Sequence, residues 1–318
     1  MKQEAFEKRH DNHWLEFDGV LDRIKARKAS QAELADFPKN YRRVCKHLSL
    51  ARDRRYSARL VDRLNLMVLK AHQVFYQPRG NTLGEIWRFI ARDFPRAVRR
   101  EARLFWLCTF LFYGPFIGMI AAIHVDPELI YTILPPEYVA YMEAMYEKAH
   151  ENERTIGSDI LMFGHYIRHN TGIGLSTFAG GLLAGIGSLF TLLFNGFFLG
   201  AVSGHMLNME YAQNFTLFVC GHGSFELTAI VLSGVAGFRL GLALMAPGRL
   251  SRAQALKVAG RNALPIVYGM AGMLFIAAGI EAFWSPRIFP APIKYGVAAL
   301  LWTGVFAYLG LAGRSHEH

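Results

Sequence analysis

From Thr171 to Met209 the chain runs 39 residues without a single Asp, Glu, Lys or Arg. A bilayer's hydrocarbon core needs roughly 20 apolar residues per helix, so this run commits the chain to a membrane. Leu104–Ile123, Phe225–Met245, Ala263–Trp284 and Ile293–Ala312 are further segments of spanning length. Within lipid every backbone polar group must be satisfied internally, so these segments read as helices. The long run exceeds one span. Asn195-Gly196 offers a break near its centre, which would divide it into Thr171–Phe194 and Phe197–Leu207.

Charge supplies orientation. Of the 35 Lys and Arg residues, 24 precede Leu104, giving that part a net charge of +11 against −1 for the remainder. Basic residues before the first span and an acidic segment after it, 124–165, predict a cytoplasmic N-terminus and an extracytoplasmic segment. Arg239, Arg249, Arg252, Lys257 and Arg261 predict a second cytoplasmic loop, with Arg239 snorkelling to the interface. Six spans satisfy both; five is the alternative. A pI near 9.6 would suit nucleic acid, but an anionic cytoplasmic leaflet accounts for the excess, and no nucleic-acid partner is expected. No signal peptide precedes Leu104. The chain is therefore expected in the inner (cytoplasmic) membrane, multi-pass, with residues 104–314 as its membrane domain. Cys45, Cys108 and Cys220 form neither a disulfide framework nor a zinc-finger spacing.

In residues 1–80 apolar residues recur at steps of three and four. Trp14, Phe17, Leu21 and Ile24 form one stripe. Leu34, Phe37, Tyr41, Val44 and Leu48 form a second, and Leu60, Leu64, Met67, Ala71, Val74 and Phe75 a third. The fold class is all-α, beginning with a cytoplasmic three-helix bundle. Ser30 and Glu33 form a capping box, and Pro38 should bend or restart the second helix. Residues 81–103 carry a second capping box, Thr82 with Glu85. An aromatic face (Trp87, Ile90, Phe94) and the arginines Arg88, Arg92, Arg96, Arg99, Arg100 and Arg103 describe an amphipathic helix on the membrane surface. Pro95 would turn it into the membrane. In the acidic segment, Tyr138, Tyr141, Met142 and Met145 predict a surface helix.

Small residues at four-residue spacing (Gly181/Gly185, Gly196/Gly200/Gly204, Gly237/Gly241) predict close helix packing in lipid. Four polar residues stand in apolar surroundings: His205, His222, Glu226 and Glu281. Ionisable groups inside a membrane face a partner or a water-filled cavity. His222 and Glu226 share a helical face, and antiparallel spans would bring Glu281 to the same depth. A structural network, a proton- or substrate-handling site and a metal site all fit that pattern. No HExxH-type motif is present. Eight others, His10, His13, His47, His72, His124, His150, His165 and His169, lie in or beside polar segments and read as surface or interfacial residues.

Phe194-Asn195-Gly196 with Leu199-Gly200, His222-Gly223-Ser224-Phe225-Glu226-Leu227, and Gly279-Ile280-Glu281-Ala282-Phe283 with Ser285-Pro286 resemble the stage II sporulation protein M family. Tyr166-Ile167-Arg168-His169-Asn170 and, in the front part, Tyr41-Arg42, Ala51-Arg52 and Leu64-Asn65 extend the likeness. The family implies a helical membrane protein of the cell envelope. In spore formers its members act with peptidoglycan-degrading partners. Elsewhere they are encoded beside MoxR-type ATPases, and the long basic front domain makes this chain more similar to those. The resemblance implies an envelope scaffold or assembly subunit linked to peptidoglycan remodelling, with a MoxR-type ATPase system or peptidoglycan hydrolases as partners. The other class is a transporter or permease subunit using the His/Glu cluster. A cavity reaching that cluster would favour transport; a sealed cluster would favour the scaffold. No nucleophile–base arrangement, phosphate loop or dinucleotide fingerprint appears, so neither catalysis nor a cofactor is expected, and oligomeric state is left open.

Overall fold

Helix starts and apolar stripes dictate the architecture. In the computed structural model, which describes residues 2–26, 28–76, 82–147 and 155–314, all regular structure among the described residues is helical. Two compact units emerge, Met1–Asn81 and Thr82–His318.

The first unit contains α1 (Gln3–Lys25), α2 (Gln31–Asp53) and α3 (Ala58–Tyr76). Ser30 and Glu33 close the expected capping box: each side chain takes a hydrogen bond from the other's backbone N–H, at 3.2 and 2.8 Å. Helix α2 does not restart at Pro38 but runs through it. The missing N–H costs one hydrogen bond, and Arg42 Nε bonds the Pro38 carbonyl at 3.3 Å. Phe6, Trp14, Phe17, Leu21, Phe37, Val44, Leu48, Leu64 and Ala71 interlock as the core. The second capping box falls on the Thr82 side chain, outside the described residues.

His47 is a correction to the surface reading. It is buried, and Trp14 Nε1 donates to its Nδ1 at 3.0 Å. Its ring lies 4.2 Å from that of His10. Burial, then the proximity of His10, Arg43, His13 and Lys46, pushes its pKa from 6.5 down to about 4. The folded domain thus keeps His47 neutral where the unfolded chain would protonate it. Stability is full above the unfolded pKa and falls as pH drops from 6.5 towards about 4. Residues 2–76 expressed alone should therefore denature at lower urea near pH 5 than near pH 7, with His47→Gln reducing the difference. An unchanged midpoint in the wild-type domain would contradict this assignment.

The second unit opens with α4 (Thr82–Arg88), a single wide π-turn over Phe89–Asp93, and α5 (Phe94–Arg100). Pro95 sits just after the π-turn, which accommodates its missing donor without breaking the helix. The chain turns not at Pro95 but at Glu101, before α6 (Ala102–Val125). This surface segment is docked on protein. Phe94 and Val98 are buried, the Phe94 ring lying on Gly269. Arg96 bonds the Gly313 carbonyl at 2.6 Å. Arg99 bonds those of Leu309 and Ala312 at 2.8 and 2.6 Å. These two arginines therefore satisfy the unpaired carbonyls at a helix C-terminus. Arg88, Arg92, Arg100 and Arg103 remain exposed.

Beyond α6 come α7 (Ile130–Ile133), α8 (Pro136–Glu147), α9 (Ile156–Ala179), α10 (Ile186–Leu207), α11 (Ala212–Val219), α12 (Gly223–Met245), α13 (Arg252–Phe283) and α14 (Ala291–Leu311). Five of them, α6, α10, α12, α13 and α14, are long and apolar enough to cross a membrane. Helix α9 has span length and packs on α12 and α13, but it carries Asp159, His165, Arg168 and His169. On α8 the inward face is Val139 and Met142, whereas Tyr138, Tyr141 and Met145 are exposed, so the predicted stripe is shifted.

The long uncharged run does fold back on itself, but not at Asn195-Gly196, which lies inside α10. The reversal occupies Gly180–Gly185, where Ala184 and Gly185 adopt φ of 53° and 87°. Gly196 and Gly200 serve contact instead. A Cβ on either would strike the carbonyl oxygen of Phe112 or Phe116 on α6. Helix α12 is central and almost wholly buried from Thr228 to Gly237. Near its C-terminal end Arg239 does not merely snorkel. It pairs with Glu101 at 2.8 Å.

Candidate functional site

The turn between α11 and α12 delivers His222, the first turn of α12 delivers Glu226, and the last turn of α13 delivers Glu281. One ligand atom from each lies within 4.8 Å of the others. His222 is buried, and its Nδ1 is 3.0 Å from Ser285 Oγ. Ser285 is held from two sides: its N–H donates to the Ile280 carbonyl at 2.8 Å, and its own carbonyl accepts from Lys294 Nζ at 2.8 Å. Lys294, only 3% exposed, is a buried cation in the first turn of α14. The sequence signal was present, a lone charge within an otherwise apolar segment.

His205 does not join this cluster. It is buried at the C-terminal end of α10, where its Nε2 meets Glu143 of α8 at 2.7 Å. That pair ties the segment between α6 and α9 to the bundle. A second tie joins the fully buried Asp159, in the first turn of α9, to Arg287 in the α13–α14 connection. Neither partnership was visible in spacing.

Glu226 also faces outward from the cluster. A cleft of about 880 Å³ opens between α9, α10 and α12, and Glu226 lines it together with His165, Arg168, His169, Thr191 and Asn195. Ile173, Phe194, Phe198, Leu199 and Ile230 provide apolar walls. Asn195, expected to break a helix, instead lines the cleft, its Nδ2 bonding the Thr191 carbonyl at 2.8 Å. His165 and His169, taken as interfacial, face the same space. The α9 wall carries Arg168, His165 and His169, the α12 wall carries Glu226, and apolar side chains fill most of the remaining surface, a lining with room for an amphipathic ligand.

These features define a polytopic helical membrane protein with a His/Glu cluster beside a largely apolar cleft that carries a few polar groups. Residues 107–286 match the family described as Stage II sporulation protein M, and the chain belongs to that family. Residues 4–77 match a domain of unknown function, DUF8413. Among curated proteins, the Uncharacterized protein MJ0793 of Methanocaldococcus jannaschii is 36% identical over 63 residues. That match spans 20% of this chain and 35% of the relative, so the chain is similar to only about a third of it. No solved structure matches.

Proposed function

We propose that this chain is a transporter- or permease-type subunit of the cell envelope, which binds an amphipathic anionic ligand in the cleft between α9, α10 and α12. The observation that carries this reading is that the cleft reaches one member of the cluster, Glu226, although His222 and Glu281 do not line it. Arg168, His165 and His169 would attract the ligand's head, and the phenylalanine-lined wall its tail. The scaffold reading draws on the opposite side of the cluster, where Ser285 and Lys294 close it off. Partners of the MoxR-ATPase or peptidoglycan-hydrolase kind would then engage the basic bundle or the acidic segment.

Orientation belongs to the same proposal. With the N-terminus in the cytoplasm, α9 descends from the outside and six helices cross. The cleft then opens in the outer half of the bilayer. A cysteine at Gly157 should react with a membrane-impermeant maleimide in intact cells, and one at Ser251 should not, each judged against the wild-type background. Labelling at Ser251 would reverse the orientation and remove the cleft from the outer leaflet.

Glu226→Gln tests the function. It preserves shape and most hydrogen bonding but removes the ionisable group. Ligand handling expects a folded, abundant and inactive variant, measured by detergent melting and by complementation of a deletion strain. Full complementation by Glu226→Gln would return the chain to the scaffold class.

A further inference from the structure

We infer that His222, Glu226 and Glu281 form a binding site for one divalent first-row transition-metal ion, of which zinc is the natural probe. Three observations carry it. The donor atoms already converge within 4.8 Å, although they come from the ends of two helices and a turn. One imidazole with two carboxylates is a donor set that suits zinc, manganese or ferrous iron, whereas calcium and magnesium prefer oxygen alone. Two carboxylates this close in a low-dielectric interior repel each other, and a dication between them brings the set to neutrality.

The surroundings are arranged as a metal's outer shell would be. Metal-bound histidines engage their second ring nitrogen with a hydrogen-bonding group, which fixes the ring. Ser285 Oγ occupies that role at His222 Nδ1, 3.0 Å away, so Nε2 would be the ligand atom. Lys294 Nζ in turn fixes Ser285 through its carbonyl at 2.8 Å. Glu226 borders the cleft, which supplies an entry path and room for water on the ion. The site would thus hold its ion from three side chains and leave a position turned towards the cleft. The inference stands apart from the transport reading, because its readouts are metal content and melting rather than activity.

The test uses the full-length chain in mild detergent without a polyhistidine tag. Metal content is measured by mass spectrometry. The protein is then stripped with a chelator and titrated with zinc while its melting is followed. Expected is about one ion per chain, as purified or on titration. Zinc at about a hundredfold excess over its Kd should raise the melting temperature by about 5–10 °C. Glu281→Gln should lose that rise, and Ser285→Ala should weaken zinc binding by about 10–100-fold. A wild-type chain that binds no ion, and melts alike with zinc, manganese and ferrous iron, would overturn the site in favour of a shared proton. Binding undiminished in both variants would place the ion elsewhere and overturn it equally. Should neither variant fold, X-ray absorption of the zinc-loaded wild type decides. One imidazole in an oxygen-rich shell supports the assignment, and sulfur ligation or several imidazoles contradict it.

Discussion

Arg287→Met should unfold far more readily than the wild type in the same detergent, by roughly 3–5 kcal/mol. Asp159 is fully buried, and its partner is the half-buried Arg287, 128 positions further along the chain. Removing the guanidinium leaves a carboxylate stranded in a low-dielectric site, and that loss exceeds the net worth of the pair itself. The double variant Asp159→Asn/Arg287→Met, which carries no charge at either position, should therefore recover most of the stability. A partly exposed surface pair such as Arg63–Asp11 gives the contrast: breaking it should cost under about 1 kcal/mol. If Arg287→Met melts with the wild type, the α9–connection tie does not hold the bundle together.

Much of this fold was legible because helices announce themselves twice, once by apolar period and once by their caps. The front bundle is the plainest case: Trp14, Phe17, Leu21, Val44, Leu48 and Leu64 fell on inward faces by spacing alone, and Ser30–Glu33 marked a true helix start. The His222, Glu226 and Glu281 convergence was legible because an ionisable group in lipid demands a partner, and antiparallel spans put all three at one depth.

The misreadings share a physical origin. Asn-Gly in water is a turn dipeptide, but between packed membrane helices Gly196 is what allows α10 to approach α6. The real turn, Gly180–Gly185, lies in a stretch that is glycine-rich throughout, and period alone does not say which glycine turns and which packs. His47 reads as polar by residue type, yet an imidazole accepting one indole hydrogen bond is a satisfied core group. His205 was grouped with the other intramembrane residues, whereas its partner, Glu143, comes from the segment that precedes α9. Lys294 escaped attention because a lone cation near the end of an apolar segment usually snorkels. Whether it turns inward depends on tertiary contacts, here the Ser285 carbonyl.

If the cleft holds a ligand, filling it should abolish function while leaving the fold intact. Gly172 lines the cleft, and a Cβ added there meets no atom within 4 Å. Gly172→Trp should therefore be accepted, its indole lodging in the cleft of about 880 Å³, and replacing glycine inside α9 should if anything favour the helix by up to about 1 kcal/mol. An indole would nonetheless occupy space between Arg168 and the phenylalanine-lined wall. The measurement is detergent melting of Gly172→Trp alongside its complementation of a deletion strain. The expected result is a protein that accumulates and melts like the wild type yet fails to complement. A Gly172→Trp chain that is equally stable and fully functional would contradict it.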